Sequence, residues 1–473
     1  MRKIAVIGAG SLVFSTTLMN DLLSVASLSS SLFVLMDVDI FKARRLEEYL
    51  MRMISKHQLK ARVVATSDRI DALREADYVI ATFQIGGVEA WRVDYEVPTR
   101  YGIDVCVGCC VGPGGVFRAL RTVPVMVGLA KEMETLCPNA YLLNYVNPMA
   151  MVCMSIGLST KVPFVGLCHG VQTTLDLISR YVGVKKEEID FLAAGINHMA
   201  WFLKLEKDGV DLYPKFREKL ERPEYYINEK VRGEVARHFG YFMTESSGHL
   251  SDYLPWFRKN KRSLESYCDQ VGLAGETGFS YRFARLMDEK FGSTDFLRHE
   301  PGELVPRSAD YCSYILEALE GENSFRFQGN VMNKSLVANL PNDCCVEVPV
   351  IANHKGLHPQ SIGRLPPQLA AMNQSNVTVQ QLGVEAALTG DPELVVAAIA
   401  MDPLTSSVLT LREIRDMTME MFEGEAKYLP QFGGRRPKAI HAVATPPGTV
   451  GVDVPLDPAL AVANRFGKLA QTS

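Results

Sequence analysis

The first two hundred residues alternate short apolar runs with longer mixed stretches. The runs at 4–7, 32–36, 62–65, 78–82 and 141–145 read as strands of a buried sheet. Between them, 12–23, 41–55, 70–74 and 129–136 read as helices. This β-α-β-α rhythm predicts an α/β domain with a parallel, doubly wound sheet over residues 1–198, and leaves the strand order open. The stretch 84–121 carries Gly86-Gly87 and Gly112-Pro113-Gly114-Gly115, and reads as a long loop over the cofactor that is functional or carries small elements of its own. Past residue 200 the texture changes. Charged, aromatic helical segments run over 213–298 and an apolar helix over 311–319. Strand-like stretches follow at 336–340 and 346–351, then helices at 366–372 and 384–400. This predicts a second, α+β domain over 199–432. Residues 433–473, rich in Pro and Gly and containing Arg435-Arg436, read as a tail.

Composition narrows the class. Of 473 residues, 47% are hydrophobic and 22% charged, as in an ordinary globular chain. With 50 Lys+Arg against 54 Asp+Glu the net charge is −4. This speaks against nucleic acid or a membrane surface as partner. No run approaches the ~18 apolar residues a bilayer span needs. The longest, 148–158, is closed by Ser159, Thr160 and Lys161. Met1-Arg2-Lys3 and the apolar run after it lead into Gly8-Ala9-Gly10-Ser11, which fits a strand entering a glycine turn better than a signal peptide. The expectation is a cytoplasmic protein with reduced thiols. Its ten cysteines include the pairs Cys109-Cys110 and Cys344-Cys345, neither with zinc-site spacing, and most read as small buried hydrophobes.

The chemistry begins at the glycine turn. Gly8 permits the turn, Gly10 permits close approach of a pyrophosphate, and Ser11 opens the following helix. The third glycine of the dinucleotide fingerprint is absent, since Val13 stands there. Asp37, at the end of the second strand, suits the two ribose hydroxyls of NAD and disfavours the extra phosphate of NADP. Together these residues predict a Rossmann-type NAD site. Cys168-His169-Gly170 and Gly195-Ile196-Asn197-His198 each follow a strand-like stretch, where open α/β sheets bind ligands. A thiolate and an imidazole there suit a divalent transition ion with positions left for substrate. Asn147, in Asn144-Tyr145-Val146-Asn147-Pro148, reads either as a hydrogen-bonding partner of a sugar or the nicotinamide ribose, or as an Asn-Pro turn.

At these residues the sequence resembles glycoside hydrolase family 4, the NAD- and manganese-dependent glycosidases. The likeness runs from Ile4 to about Phe432. It rests on Gly8–Ser11, Gly112–Gly115, Arg118-Ala119-Leu120-Arg121, the segments 144–150, 166–170 and 195–199, and 342–348. It lies nearest the α-galactosidase branch, with one departure. That branch resembles Ser after Cys-His, whereas this chain has Cys168-His169-Gly170-Val171, similar to the α-galacturonidase signature. The resemblance implies an architecture like that of lactate and malate dehydrogenases, a small glycoside substrate, and a homodimer or homotetramer. It also implies the reaction. NAD⁺ takes a hydride from C3 of the sugar, a base removes the acidified C2 proton, and the glycosidic oxygen leaves C1. Water then adds and the hydride returns. Cys168 and His198 match the family's metal ligands, with Mn²⁺ or another divalent transition ion between them. Tyr253 is the candidate base, with Asp252 as the competing assignment. His169 is the candidate acid. Arg118, Asn147 and His249 are candidates for holding the sugar. Arg118 and Arg121 read as holding sugar hydroxyls, a carboxylate or a cofactor phosphate, or alternatively as ion-paired loop anchors. Other α-glycosides (glucosides or glucuronides), a simple NAD-dependent sugar or hydroxy-acid dehydrogenase, and a catalytically silent sensor remain alternatives, because fold alone does not choose among them.

Overall fold

The computed structural model describes residues 1–291 and 295–452. They fall in two compact units, 1–437 and 438–473. The second is described only to residue 452 and shows no helix or strand there. Residues 453–473, about half of the expected tail, therefore lie outside the described residues.

One sheet of twelve strands organises the first unit. Strands β1 (Lys3–Ile7), β2 (Leu32–Met36), β3 (Arg62–Thr66), β4 (Tyr78–Ala81), β5 (Tyr141–Asn144) and β6 (Phe164–Gly166) are parallel, in the order 3-2-1-4-5-6. This is the doubly wound order. Both faces are buried, as the apolar runs require. Ile4, Val6, Phe33, Leu35, Ile80 and Leu143 enter one cluster, and Ala5, Ile7, Val34, Met36, Val79 and Leu142 the other. The helix Ile40–Lys56 shows the local logic: Asp39 accepts the Phe41 and Lys42 amides as its cap, and Ala43, Leu46, Leu50 and Met53 form its buried stripe.

The sheet continues beyond β6 with antiparallel strands. They are β7 (Asp190–Ile196), β8 (Met199–Lys207), β9 (Val210–Asp211), β10 (Phe325–Met332), β11 (Cys345–Asn353) and β12 (Gly356–Pro359). The order runs β6-β10-β11-β7-β8-β9, with β12 on β11. A single sheet thus crosses the position where the sequence suggests a change of domain. Among the described residues no helix is long and apolar enough to cross a membrane.

Three sequence expectations are corrected. The stretch 84–121 is mostly helical: Gly87–Arg100, then the start of Gly112–Leu136. Gly114 and Gly115 mark close packing rather than a loop. A Cβ on Gly114 would stand 2.8 Å from the Asp94 carbonyl oxygen, and one on Gly115 2.5 Å from the Cys110 carbonyl carbon. The strand expected at 336–340 is a loop with a single bridge from Val337 to Gly363. Asn333 Nδ2 donates to the carbonyls of Val337, Leu340 and Pro341, which satisfies that backbone without a ladder. The helix expected over 384–400 is two, Pro367–Thr389 and Pro392–Met401, parted at left-handed Gly390 and capped by Asp391. The first helix buries Asn373, Asn376 and Gln380, so its inward face does not read as apolar.

Candidate active site

The carboxyl ends of β1, β2, β4, β5 and β6 lie along one edge, where the parallel order directs a ligand site. Gly8 follows β1 with φ +92°, and a Cβ there would stand 2.6 Å from the Phe83 amide nitrogen beyond β4. The Gly8 and Ala9 amides donate to the Met36 carbonyl at 2.9 and 3.1 Å, locking the turn to the end of β2. Gly10 N–H donates to Asp37 Oδ2 at 2.7 Å, and a Cβ on Gly10 would meet that oxygen at 2.6 Å. Asp37 Oδ1 accepts the Asp39 amide at 2.9 Å, so the carboxylate is oriented and keeps lone pairs for hydroxyl donors. Ser11 stands at the start of helix Leu12–Leu23 and makes no side-chain cap bond, which leaves first-turn amides for an anion. These residues fit a dinucleotide. Asn147, after β5, has a buried Oδ1 with no partner among the described residues.

Cys168 follows β6, and His198 sits in the hairpin between β7 and β8 at φ +61°. The left-handed backbone is a strained choice for histidine, of the kind found at functional sites. A carboxylate joins them. Glu245 Oε2 lies 3.6 Å from Cys168 Sγ and 3.9 Å from His198 Nε2. One ligand-type atom from each of the three residues falls within 4.8 Å of the other two. The His249 ring is 4.6 Å from that of His198, and His249 Nδ1 is 2.7 Å from Ser246 Oγ. Burial pushes both imidazoles down to about 3, so both are neutral, the ligating form. Burial, then Glu245 and Glu347, hold the Cys168 thiol well above its ordinary value. Burial and Glu245 push Glu347 up to about 8, and its Oε1 has no partner among the described residues. Thiol, carboxylates and neutral imidazole fit a soft-to-borderline dication.

The other candidates separate by their partners. Tyr253 is buried with its ring 6.4 Å from that of His198. Burial first, with nearby thiols and carboxylates, keeps its phenol protonated far above 10. Asp252 is turned elsewhere: it accepts the amides of Cys106, Val107 and Gly108 at 2.9, 2.9 and 3.0 Å and pairs with Arg258 Nε at 3.1 Å. His169 Nε2 is 2.5 Å from Asp310 Oδ2, and that bond raises the imidazole above its ordinary value despite burial. Tyr145 donates to the other Asp310 oxygen. Arg118 lies against Trp91, 4.9 Å from the ring centre, with buried Nε and Nη1 donors that have no partner among the described residues. Arg121 takes the anchor role: it is fully buried, bonded to Asp94 at 2.5 and 3.0 Å and to Glu425 at 2.9 and 3.1 Å.

Comparison with known proteins places this geometry. The model described as "Family 4 glycosyl hydrolase" matches residues 3–184, and that of the "Family 4 glycosyl hydrolase C-terminal domain" matches 193–405. The chain belongs to glycosyl hydrolase family 4. Among family-4 relatives, the alpha-galactosidase of Bacillus subtilis (strain 168) is 36% identical over 91% of this chain and 100% of its own length. The alpha-galactosidase of Rhizobium meliloti (strain 1021) is 37% identical over 91% and 89%. The 6-phospho-beta-glucosidase of Thermotoga maritima, solved with manganese, NAD⁺ and glucose-6-phosphate, shares the fold. Its TM-score is 0.74 at 21% identity, over 90% of this chain and 99% of that one.

The sequence reading of this family-4 chain gave no role to Glu245, Glu347 or Asp310. Glu347 had a signal, a carboxylate inside the apolar run of β11. Asp310 and Glu245 had none, since each meets its partner across 141 and 77 residues of chain.

Proposed function

We propose that this glycoside hydrolase of family 4 is an NAD- and divalent-metal-dependent α-galactosidase. The observation that carries the reading is the placing of Cys168, with His198 within 4.8 Å of it, at the carboxyl edge of the parallel strands that also carries the Gly8–Asp37 turn. The relatives' specificity supports the sugar. When bound, NAD⁺ supplies reversible hydride transfer at C3 of the sugar, and the metal supplies Lewis acidity at its C2 and C3 oxygens. The chain's residues do the rest. Gly8, Gly10 and Asp37 orient the dinucleotide, and the unpartnered Asn147 Oδ1 accepts a hydroxyl of the sugar or the cofactor ribose. His249 and Arg118 face the remaining sugar groups. Tyr253 takes the C2 proton, and a divalent ion held by Cys168 and His198 would supply the positive charge that lowers its phenol. The electron pair left at C2 expels the glycosidic oxygen from C1. His169 gives that oxygen a proton. Asp310 holds Nε2, so the transferred proton comes from Nδ1. Family resemblance makes a homodimer or homotetramer part of the same proposal, which light scattering checks.

A second reading has one observation behind it. The two unpartnered donors of Arg118 suit a C6 carboxylate, in keeping with the tetrad Cys168-His169-Gly170-Val171. Hydrolysis of nitrophenyl α-galactoside and α-galacturonide with NAD⁺, Mn²⁺ and reductant decides. A higher kcat/KM on the galactoside supports the first reading, and the reverse replaces it by the second. Turnover that persists after NAD removal and in excess chelator refutes both. Stoichiometric accumulation of NADH points to a dehydrogenase instead.

A further inference from the structure

Gly170 opens the helix Gly170–Val182 two residues after Cys168. Its φ is not among the positive ones, so glycine is there for space and not for backbone conformation. A Cβ built on it would stand 2.0 Å from Glu245 Oε2, 2.8 Å from Glu245 Cδ and 3.0 Å from the Thr244 carbonyl oxygen. The Glu245 carboxylate fills the volume that a side chain at 170 would need.

The segment carrying Glu245 is fixed. Thr174 Oγ1 donates to the Thr244 carbonyl at 3.1 Å, and Arg232 donates to the Glu245 carbonyl. Arg232 is itself held by Glu229 at 2.6 and 2.8 Å. From this anchored backbone the carboxylate reaches Cys168 Sγ at 3.6 Å and His198 Nε2 at 3.9 Å. Donor atoms bonded to one first-row ion at about 2.0–2.3 Å stand about 3–4.5 Å apart, and these spacings fit. At ion-pair distance among the described residues, Glu245 meets only the imidazoles of His198 and His249. His198 is itself buried, with an unpartnered Nδ1.

We propose that Glu245 is a third protein ligand of the divalent metal, beside Cys168 and His198, and that glycine at position 170 is what admits it. Thiolate and carboxylate then balance the two positive charges, so the ion is held before substrate arrives. Position 170 acts on the metal through Glu245, not by touching the sugar. This rests on the metal dependence proposed above.

The test is Mn²⁺ affinity of the full chain without sugar, read from the electron paramagnetic resonance signal of free Mn²⁺. Cys168→Ser is the control. Glu245→Gln and Gly170→Ala should each weaken binding ten-fold or more, and the double variant should bind no more weakly than either single one. If Cys168→Ser loses the metal while Glu245→Gln stays within two-fold of the parent, the inference falls and the metal site stands. If Cys168→Ser also retains the metal, the metal-dependent reading falls with it. Thermal melting of the metal-free variants reports folding. Should Glu245→Gln not fold, Glu245→Asp keeps the charge but not the reach. Weakened binding supports the ligand role, and parent affinity overturns it.

Discussion

Asp252 and Tyr253 are adjacent and both buried, yet the structure predicts opposite consequences for removing their functional atoms. Both Asp252 oxygens accept backbone donors: Oδ1 from Cys106, Oδ2 from Val107 and Gly108. In Asp252→Asn the amide oxygen can keep the Val107 and Gly108 bonds, but its NH₂ then faces the Cys106 amide. One buried N–H is left unsatisfied, at about 1–3 kcal/mol. Arg258, fully buried, also loses one of its two carboxylate partners and keeps Asp104. Removing one side of a buried pair costs about 3–5 kcal/mol, and the retained Asp104 places this case at or below the lower end. The expected total is about 3–5 kcal/mol. The Tyr253 hydroxyl has no hydrogen bond among the described residues, so Tyr253→Phe should cost no more than about 1 kcal/mol. Urea unfolding followed by circular dichroism gives the stabilities, and initial rates on nitrophenyl α-galactoside give the activities. Asp252→Asn should unfold at clearly lower urea. Tyr253→Phe should unfold with the parent and lose turnover. The reasoning is refuted if Asp252→Asn melts with the parent and is inactive, or if Tyr253→Phe turns over normally.

Three further outcomes follow from named contacts. Arg121→Met leaves Asp94 and Glu425 facing each other in the core without their cation, and should cost about 3–5 kcal/mol in urea unfolding. His169 has a folded value raised by Asp310, while Asp310 is depressed: burial pushes it up, but His169, Tyr145 and the Cys312 amide outweigh that. The pair's contribution to stability is therefore lost as pH rises through the His169 value and as pH falls through the Asp310 value. Asp310→Asn should shift the alkaline limb of kcat to lower pH, and an unmoved limb removes His169 from the acid role. Gly8→Ala sets a methyl 2.6 Å from the Phe83 amide at φ +92°, and should weaken NAD⁺ binding, measured by calorimetry, ten-fold or more.

The parallel half of the fold was legible because its code is local. Each of its first five strands is a short apolar run, and Gly8, Gly10 and Asp37 stand at fixed offsets from strand ends. The antiparallel half was less so. Strand β10 carries Gly329 and Asn330 at its centre, residues that strands disfavour, and its place beside β6 comes from the Asn330–Gly166 pairing far along the chain. The helix Pro367–Thr389 hides its inward face behind amides, and Asn373 is bound to Trp201 and to the Met199 carbonyl. The glycines at 114 and 115 announce a turn by composition, and only the neighbours at 94, 108 and 110 reveal that they are packing contacts.

Position 170 shows what a sequence departure can and cannot convey. Glycine in place of the serine expected from the α-galactosidase branch marks the site as altered. Read alone, it suggests a change in contact with the sugar. The structure redirects that inference, because the missing Cβ would collide with Glu245 before reaching anything else close by. The informative unit is then the pair, Gly170 with Glu245, and neither residue has a fixed meaning without the other. It follows that Gly170→Ser should not act first on the choice between galactoside and galacturonide. It should first lower metal affinity, by displacing a carboxylate whose backbone is tied to Arg232 and Thr174 and cannot follow. Shortening Glu245 in the same chain relieves the collision but not the lost ligand. The double substitution should therefore tolerate the serine in thermal melting and still bind Mn²⁺ weakly.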